Sequence, residues 1–233
     1  MNSLIQKGKI VLAVVLAGFV FASCNDDDGY SIGDFMIDFG VIQKTGSTSD
    51  DNSFEILLDS GDKAIPLATD VPWFKTHDNQ RVMVSVNPLD DKVNEDGSKT
   101  YYVKILDMKN ILYKNISKLG EVSLDSMGSD PIIVRDTWIT ADSILNVDFK
   151  FYTEGSTHYL NLLDINEGDG IATPKIFELR HNARGDDERY PVYGYASFKL
   201  NPIKNPAQSQ IKFNIRYTDY DGKIIEVPYT LDY

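Results

Sequence analysis

The chain has 233 residues, with 35 Asp and Glu against 23 Lys and Arg, three His and a single Cys. The formal charge of −12 makes nucleic acid, with its phosphate backbone, a poor partner. One cysteine excludes an internal disulfide framework, so stability must come from apolar cores, for which this length suffices.

Lys7 and Lys9 precede an apolar run from Ile10 to Phe21. That run is shorter than the roughly 20 residues a bilayer span requires and fits the core of a secretory signal. Ala22 and Ser23 supply the small pair before a cleavage point, and Cys24 follows directly. Residues 1–23 therefore read as a lipoprotein signal peptide, with the thiol of Cys24 as the lipidation site, although Phe21 is an aromatic where a lipobox usually has an aliphatic residue. Buried acyl chains contribute about 0.8 kcal/mol per methylene, so a processed lipoprotein is held firmly. The expected address is the outer membrane, at the cell-surface or periplasmic face, with lipid on Cys24 as the only membrane contact. Residues 24–233 carry 21 basic and 35 acidic groups, a formal charge of −14 that would repel anionic headgroups. Residues 24–32, with Asp26, Asp27 and Asp28, bury almost nothing and read as a solvated stem; the acidic run also resembles the surface-export signal of some Gram-negative envelopes.

From Gly33 the pattern becomes short strands between turn residues. Phe35–Ile42 is a first apolar run; Phe54, Ile56 and Leu58 form a second. Val82, Val84 and Val86 alternate with Arg81, Met83 and Ser85, and Tyr101, Val103 and Ile105 alternate on a returning strand. Asp90–Gly97 reads as a long acidic hairpin loop between them. Such spacing, without a helical pattern, predicts a small closed barrel of OB type over 33–127. The turn-rich stretch Leu124–Asp130, followed by Pro131, is the expected domain boundary.

Residues 128–233 alternate more cleanly. Leu145, Val147, Phe149 and Phe151 face one way, with Asn146, Asp148, Lys150 and Tyr152 on the other side. Phe177 and Leu179 point inward from a strand ending at Arg180-His181, and Gly194, Ala196, Phe198 and Leu200 line another. Ile211–Tyr217 and Ile225–Leu231 flank an Asp221-Gly222 turn, the strongest hairpin signal in the chain. Pro228 cannot donate to a ladder and suggests an edge strand. About seven strands with Trp138 available for the core predict an immunoglobulin-like β-sandwich, so the fold class is all-β with two domains.

Chemistry-bearing motifs are sparse. His77, His158 and His181 are scattered and read as loop or sheet-surface imidazoles, and neither a metal nor a cofactor is expected. No Gly-x-Ser-x-Gly elbow, phosphate loop or His-Glu-x-x-His occurs, so no catalytic residue is assigned. Asp164, Asn166 and Gly168 begin a calcium-like loop, but Lys175 stands where a bidentate Glu is needed; Asn94, Asp96 and Gly97 are preceded by Lys92. Both read as turn chemistry. Arg184-Gly185-Asp186 spells an adhesion tripeptide and reads as a tight loop arising by chance. Ligand contacts, if the second domain makes them, are expected at Tyr193 and Tyr195, where a sugar or protein could stack, and secondarily at Arg180 and His181. The preferred reading of that strand-end cluster is structural, with Arg180 and Asn182 satisfying loop carbonyls.

Taken together, Cys24 to Asp34, Asp130-Pro131-Ile132 with Arg135, Asp136 and Trp138, Phe177 to Ala183, and Asp219 to Gly222 resemble the NigD-like lipoproteins of anaerobic gut and oral Gram-negative bacteria. The resemblance spans nearly the whole mature chain. It implies an N-terminal OB-like domain, a C-terminal β-sandwich and a link to bacteriocin clusters, and it supplies no catalytic residues. The function expected is that of a non-enzymatic, envelope-anchored lipoprotein that binds a protein or glycan partner, with bacteriocin immunity as a specific version. Two alternatives are a hydrolase using a carboxylate pair in an inter-domain cleft and a structural subunit of an outer-membrane assembly.

Overall fold

In the computed structural model, residues 33–46, 53–140, 142–166 and 174–233 are described. The signal peptide, Cys24, the acidic stem and Gly168 lie outside them. Five strands, β1 (Met36–Lys44), β2 (Phe54–Leu58), β3 (Lys63–Thr69), β4 (Gln80–Val93) and β5 (Lys99–Asn110), close into a barrel of order β1-β2-β3-β5-β4. Inward-facing Ile42, Ile56, Val82, Val84, Val103 and Ile105 fill it. Gly40 allows β1 and β2 to approach: a Cβ there would meet Ile56 Cγ2 at 2.5 Å.

The Asp90–Gly97 segment is a loop only at its tip. Backbone pairing continues through Asp90, Asp91, Lys92 and Val93 against Tyr102 to Lys99, and a Lys99–Asp91 ion pair of 2.8 Å reinforces it. Polar side chains on an outward barrel face do not prevent a ladder. At the turn, Asn94 N donates to Ser98 O, Gly97 adopts φ 86°, and Asp96 accepts from Ser98 N at 3.0 Å and Oγ at 2.6 Å. The carboxylate is thus engaged in turn chemistry.

The second module is a two-sheet sandwich. One sheet has order β14-β13-β11-β10-β7 and the other β6-β12-β9-β8. Its strands are β6 (Leu112–Asn115), β7 (Ser117–Lys118), β8 (Ile133–Ile139), β9 (Ile144–Thr153), β10 (Tyr159–Asp164), β11 (Lys175–Asn182), β12 (Tyr190–Lys199), β13 (Gln210–Thr218) and β14 (Ile224–Asp232). Leu145, Val147, Leu162, Phe177, Phe198 and Phe213 form its core. Pro228 sits on the edge strand β14, and Gly222 turns the β13–β14 hairpin with φ 73°.

The boundary expected at 127/128 lies too far along the chain to divide these sheets. β6 pairs in parallel with β12, β7 pairs in parallel with β10, and Ile116 packs on the sandwich core. The turn residues at 124–130 instead form a short helix, α1 (Leu124–Met127), tucked beneath β11. Gly128 makes that approach possible: its φ is 68°, and a Cβ would lie 2.6 Å from His181 O. Asp130 N then donates to His181 O at 2.9 Å, and Asn182 Nδ2 to Ser126 O at 2.8 Å.

Barrel and sandwich meet on the outer face of β9 and β12. Arg81, wholly buried, donates to both Asp59 oxygens at 2.5 and 2.6 Å, to Asn146 Oδ1 at 2.8 Å and to Ser197 Oγ at 3.2 Å. Beside it Phe39, Trp138 and Tyr195 make edge contacts at 5.0–6.3 Å between ring centroids. Trp138 therefore belongs to this junction rather than to the sandwich core, and Asn146, on the face opposite that core, is buried as well.

Candidate functional site

The barrel carries an exposed apolar groove. The β3–β5 pairing shifts register between Pro66 and Ala68, which turns Leu67 outward. The chain then folds back tightly: Asp70 N donates to Ile105 O at 2.8 Å, Val71 N to Thr69 Oγ1 at 3.0 Å, and Phe74 N to Val71 O at 3.0 Å. Val71 and Phe74 pack on the barrel core, leaving Pro72 and Trp73 outside. Together with Phe54, Ile105 and Met108 they bound a groove of about 750 Å³. Trp73 is 74% exposed and Leu67 63%.

Polar groups of the lining are Thr69, Lys75 and Thr76, and Lys44 Nζ donates to Thr76 Oγ1 at 2.8 Å. This set contains no nucleophile–base pair, so the groove is suited to holding apolar or aromatic side chains. Among the described residues no group of three or more His, Cys, Asp or Glu could hold a metal. At the barrel–sandwich junction, where a cleft with paired acids was one expectation, Arg81 holds both oxygens of Asp59. Burial, with Asp59 and Asp62 nearby, pushes the neighbouring Asp38 carboxyl above its ordinary range.

His181 and Arg180 part company. His181 lies on the inward face of β11, 1% exposed, and His158, 23 residues away in sequence, meets it. These imidazoles are therefore neither scattered nor superficial; apolar parity along β11 carries His181 inward with Phe177 and Leu179. His181 Nδ1 donates to Pro131 O at 2.8 Å, so its Nε2 accepts from His158 Nδ1, also at 2.8 Å. His158 Nε2 faces Asp186 Oδ2 at 3.1 Å, so the chain of contacts runs from the Pro131 carbonyl through both imidazoles to a carboxylate. Phe151 stacks on His158 with centroids 4.3 Å apart.

Asp186 also accepts from the Thr153 hydroxyl and from the backbone N–H of Glu154 at 2.9 Å and Ser156 at 3.2 Å. The Thr153 bond foremost, with those of His158 and the loop, holds its carboxyl far below the usual range. Burial foremost pushes the His181 imidazole below its ordinary value. The Arg184-Gly185-Asp186 tripeptide thus spends its carboxylate internally, with that side chain 7% exposed. Arg180 points to the other face and pairs with Glu178 at 3.6 Å.

Tyr193 and Tyr195 share the outer face of β12 but not its environment: Tyr193 is 58% exposed, whereas Tyr195 is packed against Phe39 and Trp138. His77 sits in an exposed loop beside Asp78 O. The Trp73 groove escaped periodicity analysis, but Pro66-Leu67 and Pro72-Trp73-Phe74, apolar runs with no strand or helix spacing, were its trace in the sequence.

Residues 115–232 match the NigD-like C-terminal beta sandwich domain. The chain belongs to the NigD-like family. A solved structure from Parabacteroides distasonis, provisionally named as a toxin-related protein, is 27% identical, covers 86% of this chain and 93% of its own, and superposes with a TM-score of 0.68. A NigD-like immunity protein from Bacteroides caccae is 18% identical over 87% of this chain and 99% of its own, with a TM-score of 0.63. A Bacteroides fragilis protein provisionally named as a lipoprotein is 12% identical over 86% and 98%, with a TM-score of 0.57. The last two likenesses show the fold alone. No curated protein matches the chain.

Proposed function

We propose that this NigD-like protein is a non-catalytic, lipid-anchored binding module of the outer membrane that intercepts cationic antibacterial peptides, an immunity role. The observation that carries the reading is the Trp73 groove on a strongly acidic chain. The net charge of −14 from residue 24 onward steers a cationic peptide to the surface, and the groove then grips its apolar or aromatic side chains. A nearly bare Trp flanked by an apolar concavity has the character of an interface hot spot. The name of the Bacteroides caccae relative supports the immunity version, and that of the Bacteroides fragilis relative supports the lipid anchor at Cys24.

Deletion of the gene tests the reading in a strain challenged with bacteriocins from competitors. Increased killing is expected, reversed by the wild-type gene but not by Cys24→Ala, which should leave the membrane fraction. Unchanged sensitivity in the deletion strain contradicts the immunity role, and membrane retention of Cys24→Ala contradicts the anchor.

A further inference from the structure

The barrel covers only one end of the outer face of the β6-β12-β9-β8 sheet. Beyond Tyr195, the next row pairs Tyr193 of β12 with Lys150 of β9. Arg135 of β8, at the register shift between Val134 and Asp136, joins them on this face. Its Cζ lies 5.1 Å from the Tyr193 ring centroid, and Lys150 Nζ lies 5.7 Å from it. Because β8 is two strands from β12, contact with Arg135 means that the ring leans across β9. The cations hold the tyrosine in place, and the ring keeps much of its surface open to solvent.

The two cations have different partners. Arg135 pairs with the Asp148 carboxylate at 3.4 Å. Lys150 donates to the Tyr152 hydroxyl at 2.7 Å and sits 4.5 Å from that ring's centroid, with no carboxylate in hydrogen-bond or ion-pair contact among the described residues. Tyr193 is the second ring it approaches. An ammonium has three donors, and this one uses a single neutral acceptor on a chain rich in carboxylates.

We propose that this face is a glycan site, with Tyr193 as the stacking platform for a pyranose ring and Lys150 as the partner of that sugar's carboxylate. The C–H face of a pyranose packs on an aromatic ring. Arg135, oriented by Asp148, donates to ring hydroxyls, while Asp136 and Asp148 accept from them. An open sheet face accommodates a chain of sugars rather than one enclosed monosaccharide, so the ligand class is a uronate-containing polysaccharide. The net charge of −14 opposes its approach at long range, the Lys150 contact acts only at short range, and association is therefore slow and quickened by salt. The site is separate from the Trp73 groove and stands without it.

Calorimetric titration of the full-length protein with hexameric oligogalacturonate and oligoalginate, against maltohexaose as a neutral probe of equal length, tests this assignment. Saturable binding of at least one uronate oligomer is expected, weakened about tenfold by Tyr193→Ala and retained by Tyr193→Phe. Lys150→Gln should reduce the uronate affinity to that of the neutral oligomer. Unchanged unfolding midpoints would exclude loss of fold as the cause, and Trp73→Ala should leave saccharide binding intact, separating failure of this site from failure of the groove. Absence of binding by either uronate, equal binding of maltohexaose by the wild type, or full affinity in Tyr193→Ala overturns the proposal.

Discussion

A guanidinium with no exposed surface needs its donors answered, and Arg81 is answered from both modules. Asp59 comes from the barrel, Asn146 and Ser197 from the sandwich. Breaking one partner of a buried pair leaves the other charge stranded, at a cost of about 3–5 kcal/mol. Arg81→Ala should lower unfolding free energy by that order, and joint replacement with Asp59→Leu should cost less than the two single changes added, as denaturant titration would show. Acid should act through a different set of residues. The neutral His181 binds fewer protons folded than unfolded, so stability falls as pH drops through its unfolded value near 6.5. Asp186 has the same sign at lower pH: its depressed folded value gives stability that is present above about pH 4 and lost below it. His181→Gln should flatten the first decline and Asp186→Asn the second, read from unfolding midpoints across pH. Parity in β11 made the inward direction of residue 181 legible in the sequence. Its partners were not, because they come from loops 23 and 50 residues away.

At the level of elements, alternation was a sound guide wherever β-branched and aromatic residues dominate, as in β4, β9, β13 and β14. It missed β3, where Pro66 and a register shift interrupt the pattern, and it stopped β4 too early, at acidic residues whose backbone still pairs. Short parallel strands escape periodicity altogether. β6 and β7 bring sandwich residues to a position before the turn-rich segment at 124–130, which therefore looked like a linker. This has a measurable consequence: a fragment of residues 111–233 should unfold cooperatively, whereas 128–233, lacking β6, β7 and Ile116, should be markedly less stable or unfolded. Circular dichroism and thermal melting of the two fragments would separate them, and equal stability would contradict the placement of β6 and β7. Trp138 shows the same limit from another side: its apolar bulk was evident, but which of two buried surfaces receives it depends on the barrel docking there.

For the molecule as a whole, two β modules share a junction sealed by Arg81 and the Phe39–Trp138–Tyr195 cluster, and the Tyr193 face begins one row beyond it. Charge acts over longer distances than either site: steering by a chain of net charge −14 should be salt-sensitive, while the grip of Trp73 should not be. Tyr193 was visible in the sequence as an outward aromatic; Trp73 became visible only once the loop after β3 was seen to fold back on the barrel. The most direct test is survival of bacteriocin-challenged cells carrying Trp73→Ala at surface levels matched to wild type. Truncation of an interface hot spot costs about 2 kcal/mol or more, roughly a thirtyfold loss of affinity, so protection should largely disappear. Protection by Trp73→Ala equal to that of the wild type would contradict the groove as the site of peptide capture.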